Sequence, residues 1–338
     1  MNLKKYNLLF VITAFLVVFV LMNQRPKYIK IEGDTQGTKY HITYKLKRGN
    51  KDIKPLIDKK LKEFDKSLST YSPTSTISKV NANEDVEVDS LFIKCFNESL
   101  KVWKASDGLF DITVAPLATA YGFGPGKRDK ISDELIDSLL QFVGLDKVHL
   151  EGKKVIKQNP NIRLDVNAIA QGLSVDYICD FFDSLGAENY MVEIGGELKA
   201  KGLNPEKNLW RIGIDKPIEG NMQPGVQLQQ IISIKNKALA TSGNYRKFYE
   251  RGGKKYTHTI NPKTGQTVQS DLLSATVITK DCITADAFAT ACMASGFEKA
   301  KKLIKDNDLN AYFIYSDEEG GTKVWMTDFV RGLIDADE

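Results

Sequence analysis

Asn189-Tyr190-Met191-Val192-Glu193-Ile194-Gly195-Gly196-Glu197-Leu198-Lys199-Ala200-Lys201-Gly202 sets two strand-like runs on either side of a glycine pair. A link of two glycines is long enough only for a hairpin, so the flanking strands run antiparallel. Outward from it the same pattern recurs. Strands are predicted at 148–151, 153–157 and 162–166 before it, and at 209–214, 228–234 and 237–241 after it, with a helix at Ala168–Ser184 between the groups. A strand at 272–279 leads into helices at 283–294 and 297–306, and strands at 310–315 and 322–326 close the chain. Upstream, Tyr28–Glu32 and Lys39–Lys45 read as a hairpin, and 52–67 and Ser90–Ser106 carry apolar residues at helical spacing. A polar loop, Ser69–Ser75, separates those two helices; an irregular glycine-rich passage (Phe110–Pro116, Tyr121–Gly126) and a short helix over 132–142 follow. Short strands on hairpin-length links, with helices inserted between groups, predict an α+β fold of mostly antiparallel sheets.

The 338 residues are 42% hydrophobic, enough for a substantial core, and an excess of four positive charges without a long basic block gives no sign of a nucleic-acid partner. Three histidines exclude a histidine-rich metal site. Cys95, Cys179, Cys282 and Cys292 lack the spacing of a zinc knuckle or redox pair; Cys95, Cys179 and Cys292 read as small hydrophobes in helices. Lys4 and Lys5 precede an apolar run from Leu8 to Met22, with neither a small-residue cleavage pattern nor a lipid-accepting cysteine behind it. That reads as an uncleaved membrane anchor over 1–27 in preference to a removed export signal, the lysines inside and one domain, 28–338, outside.

Three stretches carry residues suited to chemistry. In Thr284-Ala285-Asp286-Ala287-Phe288-Ala289-Thr290-Ala291, Asp286 and Thr290 are four apart and share one helix face, which the alanines leave free of bulk. A carboxylate and a hydroxyl are hard donors, suited to magnesium with phosphate oxygens completing the octahedron. Asp286 in a first helical turn also satisfies the helix dipole with no metal. Arg163-Leu164-Asp165-Val166-Asn167-Ala168-Ile169-Ala170-Gln171-Gly172 runs from a strand into a helix start, whose free N–H groups suit an anion. Asn167 as an N-cap and Gly172 as a close-packing position account for it equally. His258 ends a strand before an Asn261-Pro262 turn, where an imidazole serves as general base or as structural hydrogen-bonder. Gly195-Gly196, Ser242-Gly243 and Gly252-Gly253 suit ligand contact or tight turns alike, and none has Rossmann or Walker spacing.

Taken in order, Ser69–Asn81, Asp107–Pro125, Leu164–Gly172, Val192–Gly202, Ala240–Arg246, His258–Gly265 and Thr284–Ala291 resemble the ApbE family of FAD:protein FMN transferases. The resemblance runs from about Gly33 to about Gly296. It implies an enzyme that moves FMN from FAD to a threonine or serine hydroxyl of a partner protein and releases AMP. It further implies magnesium held by Asp286, Thr290 and the backbone oxygen of Ala168, with His258 as catalytic base. Tyr71, Phe110, Asp111, Ile112, Asp165, Gln171 and Ile260 are the implied FAD contacts; Tyr71, Phe110 and Tyr121 are the rings available to wall an isoalloxazine slot. The implied acceptors belong to membrane redox complexes, the sodium-pumping NADH:quinone reductase or the Rnf complex, reached from the periplasmic side of the inner (cytoplasmic) membrane. Two positions depart from the family: Gln36 stands where members commonly carry methionine, and no cysteine follows the apolar run. An FAD pyrophosphatase, with water as acceptor, and a passive FAD-binding carrier are the competing readings. Acceptor sites in this family's system resemble Asp-x-x-Ser/Thr-small-Ala-Thr; Asp271–Thr276 falls one residue short of that pattern and reads as a buried strand, so self-labelling is not expected.

Overall fold

Alternating burial makes the strands and fourfold spacing makes the helices. Strand β1 (Ile29–Thr35) pairs with β2 (Thr38–Lys45), which buries Tyr40, Ile42 and Tyr44 on one face. Helix α1 (Lys54–Leu68) opens on Pro55 and buries Ile57, Leu61, Phe64 and Leu68, one stripe of a 3.6-residue period. Helices α2 (Thr76–Asn81), α3 (Ser90–Ala105), α4 (Ala115–Tyr121) and α5 (Asp133–Leu140) follow, then the hairpin β3 (Val148–Glu151) and β4 (Lys154–Lys157). Next come α6 (Ala170–Ser184), β5 (Asn189–Ile194), β6 (Glu197–Lys201), β7 (Trp210–Asp215), β8 (Leu228–Ile234), β9 (Lys237–Gly243), β10 (Phe248–Arg251), β11 (Lys254–Thr257) and β12 (Leu272–Thr279). The chain closes with α7 (Cys282–Ser295), α8 (Phe297–Asp306), β13 (Asn310–Ser316), β14 (Thr322–Met326) and α9 (Asp328–Arg331). These elements come from a computed structural model that describes residues 27–47, 52–125, 128–218, 225–244, 248–251 and 254–334.

One eight-stranded sheet, ordered β1-β2-β5-β6-β9-β12-β13-β14, organises the molecule, and every pairing in it is antiparallel. The predicted α+β class therefore holds. Helices α1 and α6 pack on the face of β2 and β5, while α3, α7 and α8 build the largest core against β12 and β13. The β7–β8 hairpin covers the other face through Trp210, Ile212, Ile214, Ile232 and Ile234. A satellite cluster of Leu117, Tyr121, Ile136 and Ile260 joins α4 and α5 to the stretch after β11.

Several local expectations change. Residues 162–166 form no ladder; the Asn81 carboxamide, not a strand, serves Leu164, accepting its N–H at 2.7 Å and donating to its carbonyl at 2.9 Å. The glycine-rich passage contains α4, and the polar loop runs directly into α2. The strand expected to end at His258 is β11, and its partner β10 has no counterpart in the expected strands. Apart from Lys27 the expected anchor lies outside the described residues, as does Gly252-Gly253; among the described residues no helix is long and apolar enough to cross a membrane. All four cysteines are buried and free.

Candidate active site

Helix α7 is buried on nearly every side, lying against β9, β12, α3, α6 and α8. Its small residues permit that, and at one point the approach leaves no room at all: a Cβ on Gly172 of α6 would sit 2.4 Å from the Cys282 carbonyl oxygen. There the Gly172 N–H donates to Asp286 Oδ2 at 2.9 Å. In an uninterrupted helix that N–H would serve the carbonyl four residues back, Ala168, which is left without this donor. Asp286 is buried, and burial lifts its carboxyl to about 7 although the Gly172 N–H opposes the shift. Thr290, one turn on, shares a 3.2 Å hydrogen bond with Ser242 at the end of β9.

A second contact fixes the same helix pair. Asp176 on α6 accepts the Ile283 N–H at 2.9 Å, capping α7 from outside, and takes Lys199 Nζ at 2.9 Å; Lys199 also reaches Asp281 at 3.0 Å.

The turn entering α6 gathers the next group. Asp165 accepts the Asn167 N–H at 2.8 Å and gives its own N–H to the Ile112 carbonyl at 2.7 Å. Burial raises the Asp165 carboxyl, and the Tyr71 phenol is raised by partial burial and by the Asp165 carboxylate nearby. Asp111 is committed inward: its carboxylate accepts from Thr113 N–H (2.7 Å), Thr113 Oγ1, Trp103 Nε1 and Leu145 N–H (both 3.0 Å). Phe110, Ile112 and Tyr121 are core residues, so of the three rings expected to wall a flavin slot Tyr71 alone is exposed, at 67%. A ligand would meet the 110–112 passage at its main chain.

Two hairpin turns close over the start of α6. Gly195, at φ +67, lies where a Cβ would strike Gln171 Nε2 at 2.4 Å, and Gln36 accepts from Ser174 Oγ at 3.4 Å. The Gln36 Nε2 is buried with no partner.

His258 follows β11 directly, its ring edge-on to Phe123 at 6.4 Å between centroids. The stretch after it folds back, Val268 N–H to Thr259 carbonyl at 2.9 Å and Asn261 N–H to Gln266 carbonyl at 2.9 Å. Gly265 (φ +67) presses against Ile136 and Leu117, where a Cβ would lie 2.5 Å from Ile136 Cγ2. Thr259 Oγ1 donates to Asn244 Oδ1 at 2.8 Å, two residues beyond the Ser242 that holds Thr290.

Around the start of α6, Asp165 thus meets Ile112 and lies near Tyr71, Gly172 meets Asp286, and Thr290 follows one turn on; the stretch after β11 is linked to Thr290 through Thr259, Asn244 and Ser242, while Ile260 lies in the cluster with α4 and α5. The side chain of Ser242, and Asn81, Asn244, Asp176 and Lys199, had no assigned role in the sequence; Asp176 carries a visible signal, a carboxylate between the apolar Val175 and Ile178 of a helix. A buried carboxylate with one neutral donor fits a hard cation. No cluster of three or more His, Cys, Asp or Glu occurs among the described residues, so a cation at Asp286 would draw its remaining ligands from neutral oxygens, Thr290 and Ala168, and from phosphate. Ser274 and Thr276 are buried in β12, in keeping with the expectation that this acceptor-like stretch is inaccessible.

The ApbE family model matches residues 36–313. An FAD:protein FMN transferase of Vibrio cholerae is 34% identical over 315 residues, covering 91% of this chain and 93% of that protein. The solved flavin transferase ApbE from Vibrio cholerae superposes with a TM-score of 0.81 at 32% identity, covering 91% of this chain and 99% of the other. The apo flavinyl transferase ApbE of Pseudomonas stutzeri gives 0.81 at 31% identity, covering 93% and 98%.

Proposed function

This chain belongs to the ApbE family, and on that premise we propose that it is an FAD:protein FMN transferase, magnesium-dependent, acting on a threonine or serine of a partner protein. The observation that carries the metal half is the Asp286 carboxylate, buried beside Thr290 and Ala168 with one N–H for company. Magnesium bound there would supply charge neutralisation to the pyrophosphate of FAD. The residues of the chain do the rest. Asp165, Tyr71 beside it and Gln171 orient the dinucleotide at the start of α6. His258 takes the proton of the incoming hydroxyl. The hydroxyl oxygen bonds to the FMN phosphorus as the bond from that phosphorus to the AMP oxygen breaks, and AMP departs.

The acceptor belongs to the flavin-bearing domains of membrane redox complexes of the sodium-pumping NADH:quinone reductase or Rnf type. The N-terminal Lys4-Lys5 and the apolar run Leu8–Met22 support a tether in the inner membrane with the catalytic domain outside. Incubation of the chain with FAD, magnesium and such a domain should add the mass of FMN to the acceptor and release AMP in equal amount. His258→Ala should lower the rate by about 10²–10⁴-fold with FAD binding retained. Production of free FMN and AMP with the acceptor unlabelled would make the chain a pyrophosphatase instead.

A further inference from the structure

An open groove of about 490 Å³ takes no part in the chemistry above. One wall is the C-terminal end of α7, Ala294 to Gly296, and the other is the stretch from Thr264 to Asp271. Both walls lead back to the reacting groups. Asp286, Thr290 and Ala294 follow one another at intervals of four, so the groove prolongs the helix face that carries the metal ligands. The opposite wall pairs with the residues just after His258: Val268 N–H bonds the Thr259 carbonyl, and Ile260 bridges Thr267.

Charge selects the occupant. The lining is hydroxyl and carboxamide, from Thr264, Gln266, Gln269 and Ser270, and among the described residues no lysine or arginine is part of it. Asp271 brings a carboxylate, held by the Phe297 N–H at 3.0 Å, and the carbonyl end of α7 adds the negative pole of a helix. A pyrophosphate or an AMP phosphate is repelled from such a place. A neutral main chain, rich in N–H donors, is not.

We infer that this groove receives the extended segment of the acceptor protein that flanks the modified hydroxyl, laid along α7 from His258 toward Gly296. The inference rests on the transferase reading. Recognition through main-chain hydrogen bonds suits an enzyme whose target must be a local, unfolded or looped stretch of another protein.

The test uses the full chain with FAD, magnesium and, as probe, the flavin-bearing domain of a sodium-pumping NADH:quinone reductase. Ser295→Trp and Gln269→Trp should each raise the KM for that domain by about tenfold or more, with FAD affinity and acceptor-free AMP release within about twofold of wild type. A photo-crosslinking phenylalanine analogue at position 269 of the otherwise unaltered chain should capture the domain through residues adjoining its flavinylated hydroxyl. Loss of FAD affinity in the tryptophan variants would assign the groove to the dinucleotide and overturn the inference. An unchanged acceptor KM together with absent crosslinking would overturn it as well. If wild type labels no acceptor at all, it is the transferase reading that falls, and the groove assignment with it.

Discussion

The Gly172 N–H and the Asp286 carboxylate meet at 2.9 Å across two helices, and they meet only because residue 172 has no side chain. A Cβ there would lie 2.4 Å from the Cys282 carbonyl oxygen and 2.7 Å from Asp286 Cβ. Gly172→Ala must therefore push α6 from α7. We expect a loss of about 1–3 kcal/mol in urea unfolding, together with weakened magnesium binding by titration calorimetry. Equal stability and equal magnesium affinity would show that the helices absorb the methyl elsewhere.

The Asp286 carboxyl stands at about 7 in the metal-free fold, against roughly 3.9 for an unfolded chain. The folded value is the higher one, so the fold holds this proton more tightly than the unfolded chain does. Its contribution is complete below about pH 4 and is lost as pH rises toward 7, by up to about 4 kcal/mol. Denaturation in EDTA at about pH 5 and pH 8 should reveal this slope, and Asp286→Asn should flatten it. Magnesium held by this carboxylate, as proposed, would compete with the same proton, so its affinity should climb with pH until about 7 and then level off.

Lys199→Met leaves Asp176 buried without its counter-ion, and Asp176→Leu strips α7 of its cap. Each alone should cost about 3–5 kcal/mol. The double variant should lose clearly less than the sum of the two, because neither charge is then stranded. Additive losses in a denaturation cycle would mean the pair is not coupled.

Gln36→Met removes a carboxamide nitrogen that is buried without a partner, at the cost of a 3.4 Å contact from Ser174. The ligand-free protein should gain about 1 kcal/mol, visible as a rise in Tm. A fall in Tm would point to a partner for that nitrogen.

The readable parts of this chain were those decided locally. Alternation in Asn189–Ile194 and Glu197–Lys201 around two glycines sufficed for the hairpin, and the spacing of Asp286 and Thr290 sufficed for their common face. Residues 162–166 look like a strand because Ile162, Leu164 and Val166 alternate inward, yet what they meet is the Asn81 side chain, 83 positions from Leu164. Phe110 and Tyr121 are aromatic in a passage that touches the site, and no local pattern states that their rings turn into the core. The Asp176–Lys199 pair, 23 residues apart, exists only once β6 has come back across α6.

The loop after His258 is fastened to α4 and α5 by Gly265 and Ile260, whereas Asp286 is fastened to α6. The residues proposed for proton removal and for phosphate capture thus sit on separate mechanical parts joined through the sheet. Damage that loosens the α4–α5 lobe would leave a protein that still sequesters flavin dinucleotide from its surroundings but no longer spends it, turning a donor of flavin into a sink for it.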